Sequence, residues 1–256
     1  MNPALNLVNV TLEYPDGDSA LKALDAVDLR VDAGEFFSLV GPSGSGKSSL
    51  LAVAATLVRP GSGLVIIDGM DATGLKDSEL TSLRREKVGI IFQQPNLLPS
   101  LTAVEQLIIG DHFRGKPTAG ARKRATELLD VVGLGPSLNK RPHQLSGGQR
   151  QRVNIARALM GQPRVLLVDE PTAALDHERS ESIVRLLRRV TDEFATATVM
   201  VTHDTAFLPL TDSVATMRDG RLGVGVPVSP TSPHRHPRLA SSAREPWLRG
   251  PTQMSF

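Results

Sequence analysis

The chain alternates between short apolar runs and longer segments in which apolar residues recur every three to four positions. FFSLV (Phe36–Val40), VGIIF (Val88–Phe92), VLLV (Val165–Val168) and TVMVT (Thr198–Thr202) are unbroken, which predicts strands buried on both faces. From Glu178 to Phe194, the residues Ile183, Val184, Leu186, Leu187, Val190 and Phe194 share one helical face. Strands alternating with helices predict an α/β fold around a mostly parallel sheet. Such sheets hold ligands in the loops at the carboxyl ends of their strands. The N-terminal stretch behaves differently. LNLVNVTLEY and LDAVDLRV alternate apolar and polar positions, which predicts antiparallel strands at one edge. From about Gln93 to Met160 the periodicity is helical, with only loops between. That stretch reads as a helical insert.

The pattern stops near residue 222. From Gly223 to Phe256 there are six prolines, five serines and no periodicity, which predicts a disordered tail after a domain of residues 1–222. The HRH within the tail reads as a free, solvated pair of histidines. The charge is split the same way. Of 29 basic and 27 acidic residues, four arginines and one glutamate fall in the tail, leaving 25 and 26 in the body. The formal net charge of +2 is therefore no argument for nucleic-acid binding by the folded part. Aromatic residues make up only 4%, which argues against a reader of stacked bases. The absence of cysteine excludes disulfides and thiolate metal sites. The N-terminus shows no basic segment followed by an apolar one. No apolar run approaches the roughly 18 residues of a membrane helix. The expectation is a cytoplasmic protein.

The candidate chemistry gathers where strands end. GPSGSGKSS, Gly41 to Ser49, matches G-x-x-x-x-G-K-[ST] between a predicted strand and a helix. Its glycines, Gly41, Gly44 and Gly46, let the loop wrap phosphate oxygens from Pro42, which has no N–H, through the backbone N–H groups of Ser43, Ser45 and on to Ser49. Lys47 reaches the β- and γ-phosphates and the Ser48 hydroxyl reaches Mg²⁺. VLLVDEP ends an apolar strand in two acids. Acids are costly in a core and tolerable at a cleft. Asp169 is suited to Mg²⁺, and Glu170 to orienting or deprotonating a water beside the γ-phosphate. His203 follows another strand, in VMVTHD; a structural histidine and one bonding the γ-phosphate fit the pattern equally well. Gln93 follows VGIIF and can touch both Mg²⁺ and the attacking water.

A second segment poses a separate question. In HQLSGGQRQR, Ser146 and Gln149 have the spacing of a capping box, and an apolar helical face follows. Gly147 and Gly148 between them lower helix propensity by about 1 kcal/mol each relative to alanine. Paired glycines make sense where something approaches the backbone closely, and a helix start is a ready anion site.

Taken in order, GPSGSGKSS, Gln93, LSGGQ, VLLVDE, AALD and His203 resemble an ATP-binding cassette (ABC) ATPase, over about residues 5 to 222. The resemblance implies that two such domains pack head to tail. Ser146, Gly147, Gly148 and Gln149 of one chain then cap the ATP held by the phosphate loop of a second copy. It implies that Tyr14 stacks on adenine and that Asp176, in AALD, meets the partner across the dimer. Ala174 stands where serine is usual, and Ser49 where threonine is more frequent. The segment Gln93–Leu107 is the usual contact with an integral membrane permease. FQQPNLLPSLTAVEQ is similar to the lipoprotein-release, macrolide-efflux, antimicrobial-peptide and haem-efflux ATPases and to the cell-division cassette, although Glu105-Gln106-Leu107 replaces the usual E-N-V. The resemblance thus implies an exporter-type ATPase, peripheral on the inner face of the membrane, with ATP and Mg²⁺ as ligands and no nucleic-acid partner. An envelope-remodelling complex without transport and an amino-acid importer are the alternatives.

Overall fold

The computed structural model describes residues 3–16, 19–113, 118–223 and 226–227. In chain order, the first half holds β1 (Leu5–Asp16), β2 (Ser19–Val31), β3 (Phe36–Val40), α1 (Lys47–Ala54), β4 (Ser62–Ile67), β5 (Met70–Asp71), α2 (Asp77–Lys87) and β6 (Val88–Ile91). The second half holds α3 (Ala103–Phe113), α4 (Thr118–Val131), α5 (Gly147–Leu159), β7 (Val165–Asp169), α6 (His177–Phe194), β8 (Ala197–Val201), β9 (Ser213–Arg218), β10 (Arg221–Leu222) and β11 (Val226–Pro227).

The four apolar runs become adjacent parallel strands. The sheet order is β10-β9-β3-β8-β7-β6, with β10 and β11 both antiparallel to β9. The runs are unbroken because both faces are covered. Along β7, Val165 and Leu167 join one hydrophobic cluster, with Leu50 and Val53 of α1. Leu166 and Val168 join the other, with Ile155 and Leu159 of α5 and Leu187 of α6. Successive side chains thus serve opposite cores, as a period of two requires.

The N-terminal strands do not extend this sheet. They form a second, antiparallel sheet in the order β2-β1-β4-β5. Their alternation gives the reason: Leu5, Leu7, Leu24, Val65 and Ile67 face α1 in the first cluster, while Val8 and Leu64, paired across β1 and β4, face solvent. A one-sided strand cannot sit in a sheet covered on both faces. Helix α1 therefore lies between two sheets. The sheets are fastened where Asp25 N donates to Gly220 O at 2.8 Å and Arg221 reaches the Asp25 carboxylate at 2.8 Å. The two guanidinium and ammonium partners, Arg221 and Lys22, hold that carboxyl below its ordinary range.

Helices α3 to α5 occupy the chain between β6 and β7, within the stretch expected to be helical. Arginines close their ends. Arg124 donates to Leu159 O and Met160 O at the end of α5, at 2.8 and 3.1 Å. Arg152 donates to Val132 O at 2.6 Å and Arg189 to Val131 O at 2.8 Å, at the end of α4. Those carbonyls have no acceptor role left within their own helix, so a fixed donor is needed.

Val226–Pro227, at the start of the expected tail, pair with β9. Pro227 lies opposite Ser213, which pairs with Phe37 at the start of β3. The chain thus reaches the amino end of the parallel strands. The rest of the tail, His234 and His236 included, lies outside the described residues. Among the described residues, no helix is long and apolar enough to cross a membrane.

Candidate active site at the strand ends

Strand register assembles the site. Leu39 and Asp169 both pair with Val201, and Val168 pairs with Ile91. The residues just beyond these positions are Gly41, Glu170, Thr202–His203 and Phe92–Gln93. The loops predicted to carry chemistry therefore leave one edge side by side.

The phosphate loop is shaped by the chain's own backbone. A Cβ at Gly41 would lie 2.2 Å from Met217 O of β9, and one at Gly46 would lie 2.3 Å from Ala23 O of β2. Gly46 and Gly44 also have φ of 104° and 77°, a region L-residues avoid. Lys47 is buried, and its Nζ donates to Gly41 O at 2.8 Å and Pro42 O at 2.7 Å. No side chain caps α1, and its first turn has no acid. Its leading amides and the lysine ammonium form a cradle for phosphate oxygens. Ser48 and Ser43 are exposed beside it, and the buried Ser45 Oγ is without a hydrogen-bond partner among the described residues.

Asp169, the last residue of β7, lies within electrostatic reach of Lys47, and Glu170 follows it. Burial, followed by the neighbouring Glu170 carboxylate, pushes the Asp169 carboxyl above its ordinary value of 3.8, and Lys47 pulls it back. A half-buried carboxylate crowded by a second one is suited to a cation. Among the described residues, no three His, Cys, Asp or Glu side chains gather into a metal cluster. A hard cation here would rest on the Asp169 carboxylate and Ser48 hydroxyl together with substrate phosphates, the set Mg²⁺ prefers. Glu170 has φ of 40°, strained for a residue with a side chain. Its amide donates to Val201 O at 3.0 Å, which fixes the turn. Its Oε2 lies 3.4 Å from His203 Nδ1. Glu170 and His203, read separately in the sequence, are thus neighbours.

Tyr14 is half-exposed on β1, opposite Leu21. Ala23, whose carbonyl backs Gly46, lies two residues further along β2, so the aromatic borders the phosphate loop's strand pair. Gln93 is exposed just after β6.

The second glycine segment begins α5. Ser146 Oγ accepts from Gln149 N at 3.2 Å, and Gln149 Oε1 accepts from Ser146 N at 2.9 Å. The capping box expected from the spacing is present. A Cβ at Gly147 would come no closer than 3.4 Å to Leu175, and one at Gly148 no closer than 3.9 Å to Arg179. Both contacts are ordinary, and neither φ is positive. Asp176 caps α6, accepting from Arg179 N at 2.9 Å and pairing with its guanidinium at 3.1 Å. An aspartate just before an amphipathic run is itself a capping signal.

The sequence did not reveal what holds the loop after Gln93. Gln106 is buried, donating to Leu98 O at 2.7 Å and Leu101 O at 3.2 Å and accepting from Leu98 N at 3.1 Å. The departure from E-N-V thus places a side chain long enough to pin this loop. Leu98 is left exposed. A groove of about 390 Å³ is lined by Arg84, Arg85, Phe92, Gly110 and Arg157.

A phosphate loop, paired acids and a histidine on one parallel sheet define a phosphate-loop ATPase. Residues 24–173 match the family described as ABC transporter, and the chain belongs to that family. The lipoprotein-releasing system ATP-binding protein LolD of Shewanella frigidimarina is 41% identical over 227 residues, 89% of this chain and 95% of that protein. The macrolide export ATP-binding/permease protein MacB of Paracoccus denitrificans is 43% identical over 220 residues, 86% of this chain. This chain spans only 33% of that protein's length. The cassette MJ0796 of Methanocaldococcus jannaschii, solved as a dimer in a post-hydrolysis state with ADP and phosphate, aligns with a TM-score of 0.78 at 40% identity. That alignment covers 88% of this chain and 98% of the other. The chain is an ATP-binding subunit of the ABC transporter family and an ATPase.

Proposed function

We propose that the chain energises an exporter-type membrane permease by closing on ATP with a second copy of itself. The observation that carries this reading is that a Cβ at Gly147 or Gly148 would meet only ordinary contacts within its own chain. Nothing in their own chain forbids a Cβ there, and among the described residues neither amide has a hydrogen-bond acceptor. Two glycines at a helix start, in spite of their low propensity, fit a ligand brought by another chain.

In the closed pair, Lys47 and the backbone N–H groups of residues 43–49 hold the phosphates, and Tyr14 stacks on adenine. Ser146, Gly147, Gly148 and Gln149 cap the partner's γ-phosphate, and Asp176 lies at the same junction. Ser48, Gln93 and Asp169 hold Mg²⁺, which when bound neutralises phosphate charge. Glu170 takes a proton from the attacking water as its oxygen bonds to the γ-phosphorus and the bridging oxygen leaves with ADP. His203 steadies Glu170 and the γ-phosphate. ATP touches both halves only when they are closed, so it favours the closed state, and hydrolysis releases it.

The exposed Leu98, with a groove that includes Phe92 just before this segment, supports docking of a permease near Gln93–Leu107. The two relatives named for lipoprotein release and macrolide export support an exporter. Such a subunit works in the cytoplasm, peripheral on the inner face of the cell membrane. Residues 93–160 act as its helical subdomain.

The test uses Glu170→Gln, which removes the base and keeps the shape. Turnover is expected to fall by about 10²–10⁴-fold, and light scattering is expected to show a dimer with ATP and Mg²⁺. A monomer under those conditions overturns the head-to-tail reading. Copurification of the variant with an importer permease and its binding protein overturns the exporter assignment.

A further inference from the structure

Helix α5 does two things at once. Its first turn carries Ser146–Gln149. Two turns further on, Asn154 Nδ2 donates to Phe92 O at 3.0 Å, and Arg157 Nη2 donates to Pro95 O at 2.8 Å. Arg157 Nη2 also donates to Asn154 Oδ1 at 2.9 Å. The two accepting carbonyls bracket Gln93 and Gln94. Asn154 is fully buried. Arg157 is largely buried, which disfavours its charged form, and among the described residues no carboxylate pairs with it. A buried guanidinium is an expensive means of satisfying one carbonyl. Its advantage is a planar fork whose direction is fixed, where a lysine swivels.

We propose that Asn154 and Arg157 form a strut that makes the two nucleotides of the dimer sense each other. The proposal rests on the reading that Gln93 faces the chain's own nucleotide while Ser146–Gly148 face the partner's. The strut then turns two separate binding events into one. When Gln93 settles on its own nucleotide, the carbonyls of Phe92 and Pro95 set the position of α5, and so of the cap presented to the partner. The coupling runs equally in reverse, since a binding coupling is reciprocal. Asn154 and Arg157 are positioning residues, because they touch neither nucleotide.

Arg152 is the natural control. It lies on the same helix and is also bonded to a carbonyl and a hydroxyl, those of Val132 and Ser182, but it does not reach the Gln93 loop.

The experiment uses the full chain carrying Glu170→Gln, titrated with ATP and Mg²⁺. Sedimentation measures the dimer, and equilibrium dialysis at high dilution measures ATP on the monomer. Arg157→Met and Asn154→Ala are expected to raise the ATP concentration for half-maximal dimer about tenfold while leaving monomer affinity within about twofold. Arg157→Lys, which keeps charge and bulk, is expected to shift it less and in the same direction. Arg152→Met is expected to leave it unchanged. The proposal is overturned if Arg157→Lys and whichever strut variants retain the parent's circular dichroism dimerise at the parent's ATP concentration. It is equally overturned if Arg152→Met shifts the midpoint as far as Arg157→Met. A parent that never dimerises removes the reading beneath the proposal as well, which separates the two failures.

Discussion

A Cβ at Gly41 would press within 2.2 Å of Met217 O, whereas at Gly147 the nearest heavy atom would be 3.4 Å away. Both segments read as phosphate sites, yet their glycines answer to different constraints. In the loop at 41–49, β9 and β2 back directly onto the chain, and the fold itself excludes side chains. At the start of α5 the chain's own packing leaves room for a side chain, in keeping with the proposed cap on a second copy. A glycine that the native packing leaves unexplained is therefore a pointer to a missing neighbour.

The comparison is broken most severely at Lys47. Lys47→Ala is expected to lower ATP turnover by at least about 10³-fold, as loss of a key charge partner does; unchanged phosphate release would remove the loop from the site. Next comes the contrast between the glycines. Gly41→Ala is expected to destabilise the fold by at least about 2 kcal/mol, because the obstructing atom is backbone. Gly148→Ala is expected to leave the melting temperature equal or higher, since alanine favours a helix by about 1 kcal/mol, while ATP-driven pairing fails. Equal melting losses in the two variants would erase the distinction.

Asp169 offers a smaller effect with a definite sign. Its carboxyl is pushed up in the folded chain, so the stability it contributes is greatest in acid and falls as pH rises above 3.8 through the folded value. Asp169→Asn is accordingly expected to melt higher than the parent at pH 7 without nucleotide. The difference should close below pH 3.8, and ATP with Mg²⁺ should reverse it. A parent that melts higher at pH 7 would contradict the burial of the Asp169 carboxyl and its crowding by Glu170. The smallest effect is expected from deleting residues 228–256. The chain reaches the amino end of the strands at Pro227, away from the loops, and phosphate release should stay within about twofold, the scale of surface changes.

Much of this was legible because it is local. Unbroken apolar runs gave β3, β6, β7 and β8, the G-x-x-x-x-G-K-S spacing gave the loop before α1, and the S-x-x-Q spacing gave the capping box of α5. What stayed hidden depends on contacts far apart in the chain. SVATMR alternates as a strand should, but nothing local says that Met217 O would back Gly41. Nor does sequence tell that Ala23 O would back Gly46, or that β1, β2, β4 and β5 would form a sheet of their own. Nothing local marks Arg124, Arg152 and Arg157, which donate to carbonyls 20 to 62 residues away. Gln106 looked like a departure from a pattern until its three bonds to the preceding loop were seen.

The left-handed backbone at Glu170 carries a consequence for anyone engineering this chain. Glycine would relieve that strain, and Glu170→Gly is expected to melt no lower than the parent while losing the proposed base and with it turnover. Robustness and work are opposed at this one residue. Directed evolution for heat tolerance must therefore select on phosphate release and survival together.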